Sequence, residues 1–410
     1  MLTIGIIGGG AAGMMAAVTI SEMNPAIQII LIERNDDLGR KVKISGGGRC
    51  NLTTGVDDLK EVLKKYPRGS RFLRHAFYEF PPQKMMEWVE DQGVALKMED
   101  DLRVFPISNK GSDLVDVFEQ KMRRGKVKIW FKTTAERIEK ENDQFIIYTN
   151  HGKPLIVDKL ILTTGGQAYQ GTGSLGDGYG FAQKLGHTIT ALAPSLSAYL
   201  LEEKWAKSIP GVSFKSVRLR LQGDDKHEFT GPVMFTHKGI TGPAVFALSS
   251  LAAFEELTDA HTVTLMIDFL PNISWEELTN QLNQISSNSP QQKVINSLGG
   301  LVPKSLAKAV SEALKIDLNK KNAELSKKDL NKFIEALKNS QCTVNGRTAG
   351  EEFVTAGGVE LDEINPKTME SKKCDGLFFA GEILNCDGFT GGYNLHIAWA
   401  TGRLAGNQIK

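Results

Sequence analysis

The N-terminal segment joins an apolar strand, a glycine-rich turn and a helix, and this order constrains the fold more than any other feature of the chain. Residues 2–7 are mostly apolar, the motif Gly8-x-Gly10-x-x-Gly13 follows at once, and small side chains continue a helical pattern to about Met23. A second apolar strand, 27–32, ends in Glu33. Two strands joined through a helix pair in parallel, so this unit predicts an α/β fold with a doubly wound sheet.

The glycine-rich turn has the spacing that a dinucleotide requires. Gly8 permits the tight turn, Gly10 lets the backbone approach a pyrophosphate, and Gly13 lets helix and strand pack closely. The helix that starts at Ala11 and Ala12 directs free N–H groups and a partial positive charge at that pyrophosphate. The turn therefore predicts a dinucleotide site, and by itself it leaves FAD and NAD equally open.

The second strand end and the loop after it carry further candidate contacts. The carboxylate of Glu33, followed by Arg34, can accept the adenosine ribose hydroxyls and disfavours a 2′-phosphate, so NADP is not expected in this turn. The loop 40–51 combines the backbone N–H groups of a Ser-Gly-Gly-Gly run with lysine and arginine side chains. Such a loop can hold a phosphate or the polar edge of an isoalloxazine, and the alternative is a mobile loop without a ligand.

A motif near the C-terminus favours FAD over NAD. A strand at 376–380 leads into Gly381-Glu382, and a carboxylate there can bind ribityl hydroxyls. A helix from about Asn394, after Gly391-Gly392, would direct its N-terminus at the flavin N1–C2=O edge, where negative charge accumulates on reduction. A dehydrogenase that binds only a nicotinamide dinucleotide has no need of this distant second clamp. The alternative is a capping turn without a ligand.

Three long motifs resemble those of a bacterial FAD-binding family, and the similarity spans nearly the whole chain. They are 39–51, 235–243 and 391–395. Members of that family are labelled NAD(P)/FAD-dependent oxidoreductases, some of them aminoacetone oxidases or 3-dehydro-bile-acid reductases. The resemblance implies a two-part, Rossmann-like FAD-binding domain interrupted by a β-barrel-plus-helix domain. It also implies that the backbone near Ala135 and at 164–166 approaches the cofactor.

The pattern along the chain agrees with such an insertion. We expect a FAD-binding domain made of 1–192 and 352–410, with an inserted β-barrel and helical domain on the substrate side at 193–351. Strands around 127–131 and 145–149 look like a meander, alternating strands appear beyond about 194, and the stretch 274–338 has helical spacing.

The predicted cofactor-binding residues lie in glycine-rich turns, at strand ends and at helix N-termini. They are Gly8, Gly10, Ala11, Ala12, Gly13, Glu33, Arg34, Lys41, Ser45, Gly46, Gly48, Arg49, Cys50, Asn51, Ala135, Thr164, Gly165, Gly166, Gly381, Glu382, Gly392, Asn394 and Leu395. For Cys50 a packed thiol is favoured over a redox-active one. No catalytic residue is assigned, and no metal site is predicted. Similar proteins usually carry Gln where this chain has His396.

Charge and cysteine content argue against several other classes. With 49 Lys+Arg against 48 Asp+Glu, the formal net charge of +1 creates no global field toward polyanions or membranes. Four cysteines without a CxxC pair indicate neither a disulfide framework nor a zinc site, and are typical of reduced thiols in a cytoplasmic protein. No charged signal-peptide start is present, and no apolar run approaches the roughly 18 residues of a membrane span.

A second match to the glycine pattern, at 171–176, does not open a helix directly after a strand. We therefore expect no second dinucleotide site, and expect Asp177 to cap the helix that follows. Electrons would come from NAD(P)H docking transiently over the flavin, from another donor, or from the substrate itself. His237 is either a proton donor facing the flavin or, as the sequence favours, an ordinary loop histidine.

These features predict a FAD-dependent oxidoreductase that transfers a hydride between flavin N5 and a small carbonyl or enone-like substrate, with NAD(P)H as a candidate donor. The alternative is a flavin-dependent RNA-modifying or RNA-binding protein. It depends on the basic segment 64–74, in which Lys64, Lys65, Arg68, Arg71 and Arg74 lie among Tyr66, Phe72 and, just beyond, Phe77. A solvated helix face is the favoured interpretation of that segment, so nucleic acid is not the expected partner.

Overall fold

The chain forms two compact units. The computed structural model describes residues 1–223, 227–348, 350 and 352–409. The first unit comprises Met1–Pro194 and Phe353–Lys410, and the second comprises Ser195–Glu352. The second unit is thus inserted into the first along the chain. The predicted boundary at Glu351 lies outside the described residues.

The strands vary in length from two to nine residues, and the three longest lie in the second unit. They are β1 (Thr3–Ile7), β2 (Gln28–Ile32), β3 (Thr53–Thr54), β4 (Leu96–Met98), β5 (Arg103–Pro106), β6 (Lys128–Trp130), β7 (Ala135–Glu141), β8 (Gln144–Thr149), β9 (Leu155–Val157), β10 (Lys159–Leu162), β11 (Ala193–Ser195), β12 (Tyr199–Leu201), β13 (Ser213–Leu221), β14 (Glu228–Phe235), β15 (Gly239–Thr241), β16 (Val263–Asp268), β17 (Ser340–Arg347), β18 (Val354–Ala356) and β19 (Leu377–Phe379).

The helices include two long, largely buried ones at the two chain ends. They are α1 (Ala11–Met23), α2 (Arg40–Ile44), α3 (Leu59–Leu63), α4 (Ser70–Glu79), α5 (Pro82–Asp91), α6 (Gly111–Arg124), α7 (Asp177–Lys184), α8 (Lys204–Lys207), α9 (Pro243–Leu251), α10 (Trp275–Asn288), α11 (Val294–Ser297), α12 (Lys304–Leu314), α13 (Lys327–Lys338) and α14 (Tyr393–Asn407). In the described part of the chain, no helix combines the length and apolar character that crossing a bilayer requires.

A parallel five-stranded sheet forms the centre of the first unit. Its order is β19-β10-β1-β2-β6, with Ile6 opposite Ile161 and Ile161 opposite Phe378. Strands β1, β2 and β10 are apolar almost throughout because helices or other strands cover both faces of a parallel sheet. The last strand of the chain therefore lies in the same sheet as the first.

The strand at 128–130 has a different partner from the one predicted. The sequence indicates a meander formed by 127–131 and 145–149, whereas β6 extends the main sheet in parallel beside β2. The chain returns to the sheet through α6, and such a crossover favours parallel pairing. The antiparallel meander consists instead of β7, β8 and β9.

The second unit is a closed antiparallel barrel with helices. The barrel order is β12-β15-β14-β13-β16-β17. Along β13 the side chains of Val217, Leu219 and Leu221 are buried and alternate with half-buried Arg218 and Arg220, which is the period of a strand with one face on a core. The predicted doubly wound α/β fold with an inserted β-barrel and helical part is confirmed.

Helices α1 and α14 pack at a distance that only small side chains permit. A Cβ atom at Gly402 would lie 2.4 Å from the carbonyl oxygen of Ala12 and 3.0 Å from its Cα. Both atoms belong to backbone that cannot move without shifting α1. Gly402 therefore sets the separation of the two chain ends behind the glycine-rich turn.

We expect Gly402→Ala to destabilise the chain by about 1–3 kcal/mol, because overpacking pushes one helix off the other. Urea unfolding followed by circular dichroism measures this. The matched control is Gly180→Ala in α7, since a Cβ at the exposed Gly180 meets nothing within 4 Å. That control should be neutral or stabilising by up to about 1 kcal/mol. Equal effects of the two substitutions would contradict the packing account.

Candidate cofactor site

The glycine-rich turn leaves the N-terminus of α1 open. Gly8 has φ +108°, and a Cβ there would lie 2.5 Å from the carbonyl oxygen of Thr163. A Cβ at Gly13 would lie 2.0 Å from the carbonyl oxygen of Gly8, so helix and turn touch directly. At Gly10 a Cβ would meet nothing within 4 Å, and no side chain caps the helix. Free N–H groups thus face open space.

The carboxylate of Glu33 lies beside this turn. Its Oε2 accepts a hydrogen bond from the backbone N–H of Gly9 at 2.7 Å, and its Oε1 accepts from the backbone N–H of Asn35 at 2.8 Å. The residue is almost fully buried. Thr133 N–H donates to the Glu33 carbonyl at 3.0 Å, and this bond brings the start of β7, where Ala135 lies, to the same strand end.

Arg34 and Asp177 form an ion pair, which corrects one prediction. Asp177 was expected to accept N–H groups at the start of α7. The N-cap is instead Gly176 with φ +84°, and no side-chain cap is present. The carboxylate turns toward Arg34 because a guanidinium offers a charged, bidentate partner. Arg34 consequently joins the first strand–helix unit to α7.

Lys41 joins the loop 40–51 to the C-terminal motif. Its Nζ donates to Oε2 of Glu382 at 2.7 Å across 341 residues of sequence. Oε1 of Glu382 accepts from the backbone N–H of Thr355 at 3.0 Å. A Cβ at Gly166 would lie 2.9 Å from that same Oε1. Three predicted segments, 40–51, 164–166 and 381–382, therefore meet at one carboxylate.

Inside the loop 40–51, Arg49 is already engaged by protein groups. Its guanidinium pairs with Glu99 at 2.6 Å and lies 3.9 Å from the ring centroid of Phe105. Its Nε donates to the Gly46 carbonyl at 3.1 Å. The side chain thus fastens the glycine run to β5, and its predicted contact with a flavin stays a prediction. The short helix α2 in this loop was not predicted.

The Cys50 side chain is packed. It is fully buried, its backbone N–H donates to the carbonyl of Ser45 at 2.9 Å, and burial raises the pKa of its thiol to about 12. A thiol with that pKa carries almost no thiolate at neutral pH. The geometry supports the packed thiol over the redox-active one.

The C-terminal loop is held in shape by its own amide. Asn394 Oδ1 accepts from the Gly388 N–H at 2.8 Å, and its Nδ2 donates to the Gly388 carbonyl at 2.7 Å. A Cβ at Gly392, the N-cap of α14, would lie 2.4 Å from the carbonyl oxygen of Thr53. The helix N-terminus therefore lies directly against β3, beside the loop 40–51. Leu395 is half-buried in the first turn of α14.

Arg68 and Asp387 form a buried ion pair that sequence reasoning missed. Nε and Nη2 of Arg68 both donate to the carboxylate of Asp387, which is fully buried. Tyr66 also donates its hydroxyl to the Tyr393 carbonyl at 3.0 Å. The segment 66–68 thus fastens the loop 387–393. Arg68 is therefore not part of a solvated helix face, which was the favoured interpretation. The sequence around Arg68 contains no signal for a partner 319 residues away.

The unsatisfied groups of the site test whether it suits a dinucleotide. Asn51 Oδ1 and Thr164 Oγ1 are buried and have no hydrogen-bond partner among the described residues, and both were predicted to contact the cofactor. Gly10, Gly47 and Gly48 face open space. Buried polar atoms without a protein partner fit a ligand with many hydroxyl and phosphate oxygens. FAD fits that description. Tyr179, which the sequence did not suggest, has a hydroxyl in the same condition.

His396 lies in the second turn of α14, behind the site. The residue is fully buried, its Nδ1 is 3.1 Å from Thr53 Oγ1, and its ring centroid is 4.8 Å from that of Phe77. Burial lowers the pKa of His396 to about 3. The imidazole is therefore neutral in the folded protein at physiological pH.

This pKa predicts an acid-sensitive stability. The unfolded chain takes up the His396 proton below its ordinary pKa of about 6.5, while the folded chain does not. The stabilisation is thus complete above about pH 6.5 and is lost as the pH falls, by about 1.4 kcal/mol per pH unit. Between about pH 7 and pH 5, the free energy of unfolding of His396→Gln should fall by about 2 kcal/mol less than that of the unsubstituted chain, as measured by urea unfolding. The control His237→Gln changes an exposed residue, and its free energy of unfolding should fall by as much as that of the unsubstituted chain. The same pH dependence in His396→Gln and in the unsubstituted chain would contradict the assignment.

Known proteins resemble this chain along nearly its whole length. The HI0933-like protein Rossmann domain family matches residues 2–408. The 3-dehydro-bile acid delta(4,6)-reductase of Clostridium scindens is 31% identical over 408 residues, which are 99% of this chain and 98% of that protein. The ribosomal RNA dihydrouridine synthase of Escherichia coli is 28% identical over 97% of this chain and 95% of its own length.

A solved structure shares the fold. The 3-ketosteroid-delta4-(5alpha)-dehydrogenase of Rhodococcus jostii has a TM-score of 0.52 and 14% sequence identity. The match covers 99% of this chain and 97% of that one. At this identity the likeness concerns the fold alone.

Proposed function

The chain belongs to the HI0933-like family of FAD-binding Rossmann proteins, and from that premise we propose that it reduces a carbon–carbon double bond conjugated to a carbonyl. The observation that supports the proposal is the hydrogen bond from Lys41 to Glu382, since it joins the loop 40–51, which follows the N-terminal βαβ unit, to the C-terminal motif. When bound, FAD supplies the hydride through its N5 atom. The protein binds and orients the reactants.

Each end of the chain would hold a different part of the cofactor. The open N-terminus of α1 at Gly10 would bind the diphosphate, and Glu33 would accept the adenosine ribose hydroxyls. Glu382 would accept ribityl hydroxyls. The N-terminus of α14 at Gly392 would place its partial positive charge near the ring edge that becomes negative on reduction.

The substrate class follows from what two relatives are named for. A 3-dehydro-bile acid with delta(4,6) unsaturation has its double bonds conjugated to a ketone, and uridine has a double bond conjugated to a ring carbonyl. Adding hydrogen to either bond needs a hydride at one carbon and a proton at the next. A small enone-like compound is therefore the first substrate candidate for this chain.

A second candidate is a uracil base within RNA. The observation that favours it is the pair of exposed arginines on α4, Arg71 and Arg74, which form no ion pair with a described residue. Such a row can bind phosphates. This candidate shares the chemistry of the first and differs in how the substrate is held.

NAD(P)H is the proposed electron donor, docking transiently. The segment 171–176 overlaps one 3-10 turn formed by residues 170–172. A Cβ at Gly173 would lie 2.8 Å from Asn35 Nδ2 and 2.9 Å from Arg34 Cδ, so this glycine packs on protein side chains. The middle glycine of this second match is therefore closed by protein side chains, unlike Gly10 in the first turn, and this favours transient docking over a resident nicotinamide dinucleotide.

The purified chain should contain FAD and absorb near about 370 and 450 nm. Glu33→Arg should lose both bands, because a cation replaces the acceptor for the ribose hydroxyls. Absorption spectra after gel filtration with added FAD measure this. Glu136→Arg makes the same charge change at an exposed position and should retain the bands. A colourless unsubstituted chain that takes up no FAD would end the proposal.

Anaerobic reduction followed by reoxidation tests the reaction itself. We expect NADH or NADPH to bleach the flavin bands, and a cyclic enone to restore them faster than dissolved oxygen does. The measurement is stopped-flow absorbance near about 450 nm. A saturated ketone of the same skeleton is the control and should not reoxidise the flavin. Reoxidation by oxygen alone would mark an oxidase and contradict a reductase.

A further inference from the structure

Helix α4 has two faces of opposite character. Its buried face consists of Phe72, Leu73, Ala76 and Phe77. These apolar side chains form the core contact of the helix, and Phe77 touches the ring of His396 on α14. The opposite face is exposed and contains Arg71, Arg74 and Tyr78. Residues three and four apart lie on one side of a helix, so these three side chains form a single row, here called the α4 row.

The cations of the α4 row are not neutralised. Neither Arg71 nor Arg74 forms an ion pair or a side-chain hydrogen bond with a described residue, whereas Lys64 pairs with Glu61 and Arg68 with Asp387. The sequence from 62 to 78 contains no Asp or Glu, and the acidic residue of α4, the exposed Glu79, is the last residue of the helix. The row is therefore a local positive surface on a chain whose formal net charge is only +1.

An aromatic side chain completes the α4 row. Tyr78 is 73% exposed and makes no aromatic ring contact with another described residue. The aromatic residues that the sequence placed among the cations, Tyr66, Phe72 and Phe77, are instead buried and unavailable to a partner. One exposed ring beside two arginines is the combination that stacks a base and binds the neighbouring phosphates.

The α4 row begins at the candidate cofactor site. A Cβ at Gly69, the N-cap of α4, would lie 2.2 Å from Cys386 Sγ. The preceding residue, Arg68, holds Asp387 in the loop that leads to α14. An extended polyanion lying along the α4 row therefore reaches the loop 387–393 without leaving the first unit.

We propose that the α4 row binds single-stranded RNA, with Arg71 and Arg74 on phosphates and Tyr78 stacked on a base. The proposal rests on the second substrate candidate, a uracil within RNA. Single strands fit better than duplexes because only unpaired bases offer a free face for stacking. RNA fits better than an anionic membrane because Tyr78 is the one large apolar group in the row, and surface-bound helices insert a whole apolar face.

The test is fluorescence anisotropy of a short, uridine-containing single-stranded RNA titrated with the FAD-loaded full chain over a series of salt concentrations. Arg71→Ala/Arg74→Ala should weaken binding roughly 10- to 30-fold at about 0.1 M salt, and should lower the slope of log K against log salt by about 1.4. Tyr78→Ala should weaken binding about tenfold at every salt concentration, and Tyr78→Phe should bind normally because stacking needs only the ring.

The matched control is Arg123→Ala/Arg124→Ala, which removes two exposed arginines from the end of α6 in the same unit. It should bind RNA like the unsubstituted chain. Equal losses in both double variants, or no binding by the unsubstituted chain, would overturn the proposal. So would tighter binding to anionic phospholipid vesicles than to the RNA with the same dependence on Arg71 and Arg74.

The α4 variants should keep their flavin spectrum and their rate of enone reduction, because the row does not include a predicted cofactor contact. RNA binding is thus read independently of the flavin reaction. A chain that binds RNA through the α4 row but reduces no conjugated double bond would fail the proposed function alone. A chain that reduces an enone but binds no RNA would fail this inference alone.

Discussion

The main-chain hydrogen bonds of β10 hold the two ends of the chain in one sheet. β10 pairs with β1 on one side and with β19 on the other, all in parallel. The carboxyl ends of parallel strands meet at one edge, and in doubly wound sheets ligands bind at that edge. Glu33 after β2 and Glu382 after β19 therefore belong to the same rim although about 350 residues separate them. Without β10, the strand that precedes Glu382 would not be joined to the strands that carry the turn Gly8–Gly13 and Glu33.

Two ion pairs between distant segments fix the details of that rim. Lys41 reaches Glu382, and Arg68 reaches the fully buried Asp387. Removing one partner of a buried ion pair leaves the other charge buried and unpaired, which typically lowers the free energy of unfolding by about 3–5 kcal/mol. Asp387 therefore requires Arg68 even if the pair adds little net stability. Together with the close approach of Gly392 to Thr53, these contacts place the start of α14 against β3, which follows the loop 40–51 in the sequence. The proposed chemistry needs this proximity of an anion-binding helix end and a polar loop.

Local patterns predicted the elements of the fold better than their long-range contacts. The βαβ turn at Gly8–Gly13 was identified because strand, glycines and helix are consecutive, and its local form reflects sterics alone. The strand at 127–131 was wrongly assigned to the meander because its pairing depends on the position at which the chain leaves α6, next to β2. Arg68 was placed on a solvated face because its partner lies in a segment 319 residues away. The exposed Tyr78 was not identified because it directly follows the buried Phe77, and only the exact start of α4 decides which of these two neighbouring rings faces solvent.

We propose that both chain ends bind one FAD molecule, and a crystal structure of the FAD complex tests this proposal. We expect density for a single extended dinucleotide with its diphosphate at Gly10 and its isoalloxazine ring at the N-terminus of α14 near Gly392. A dinucleotide that contacts the turn at Gly8–Gly13 while its ring lies away from the loop 387–393 would show that the C-terminal motif does not bind the flavin.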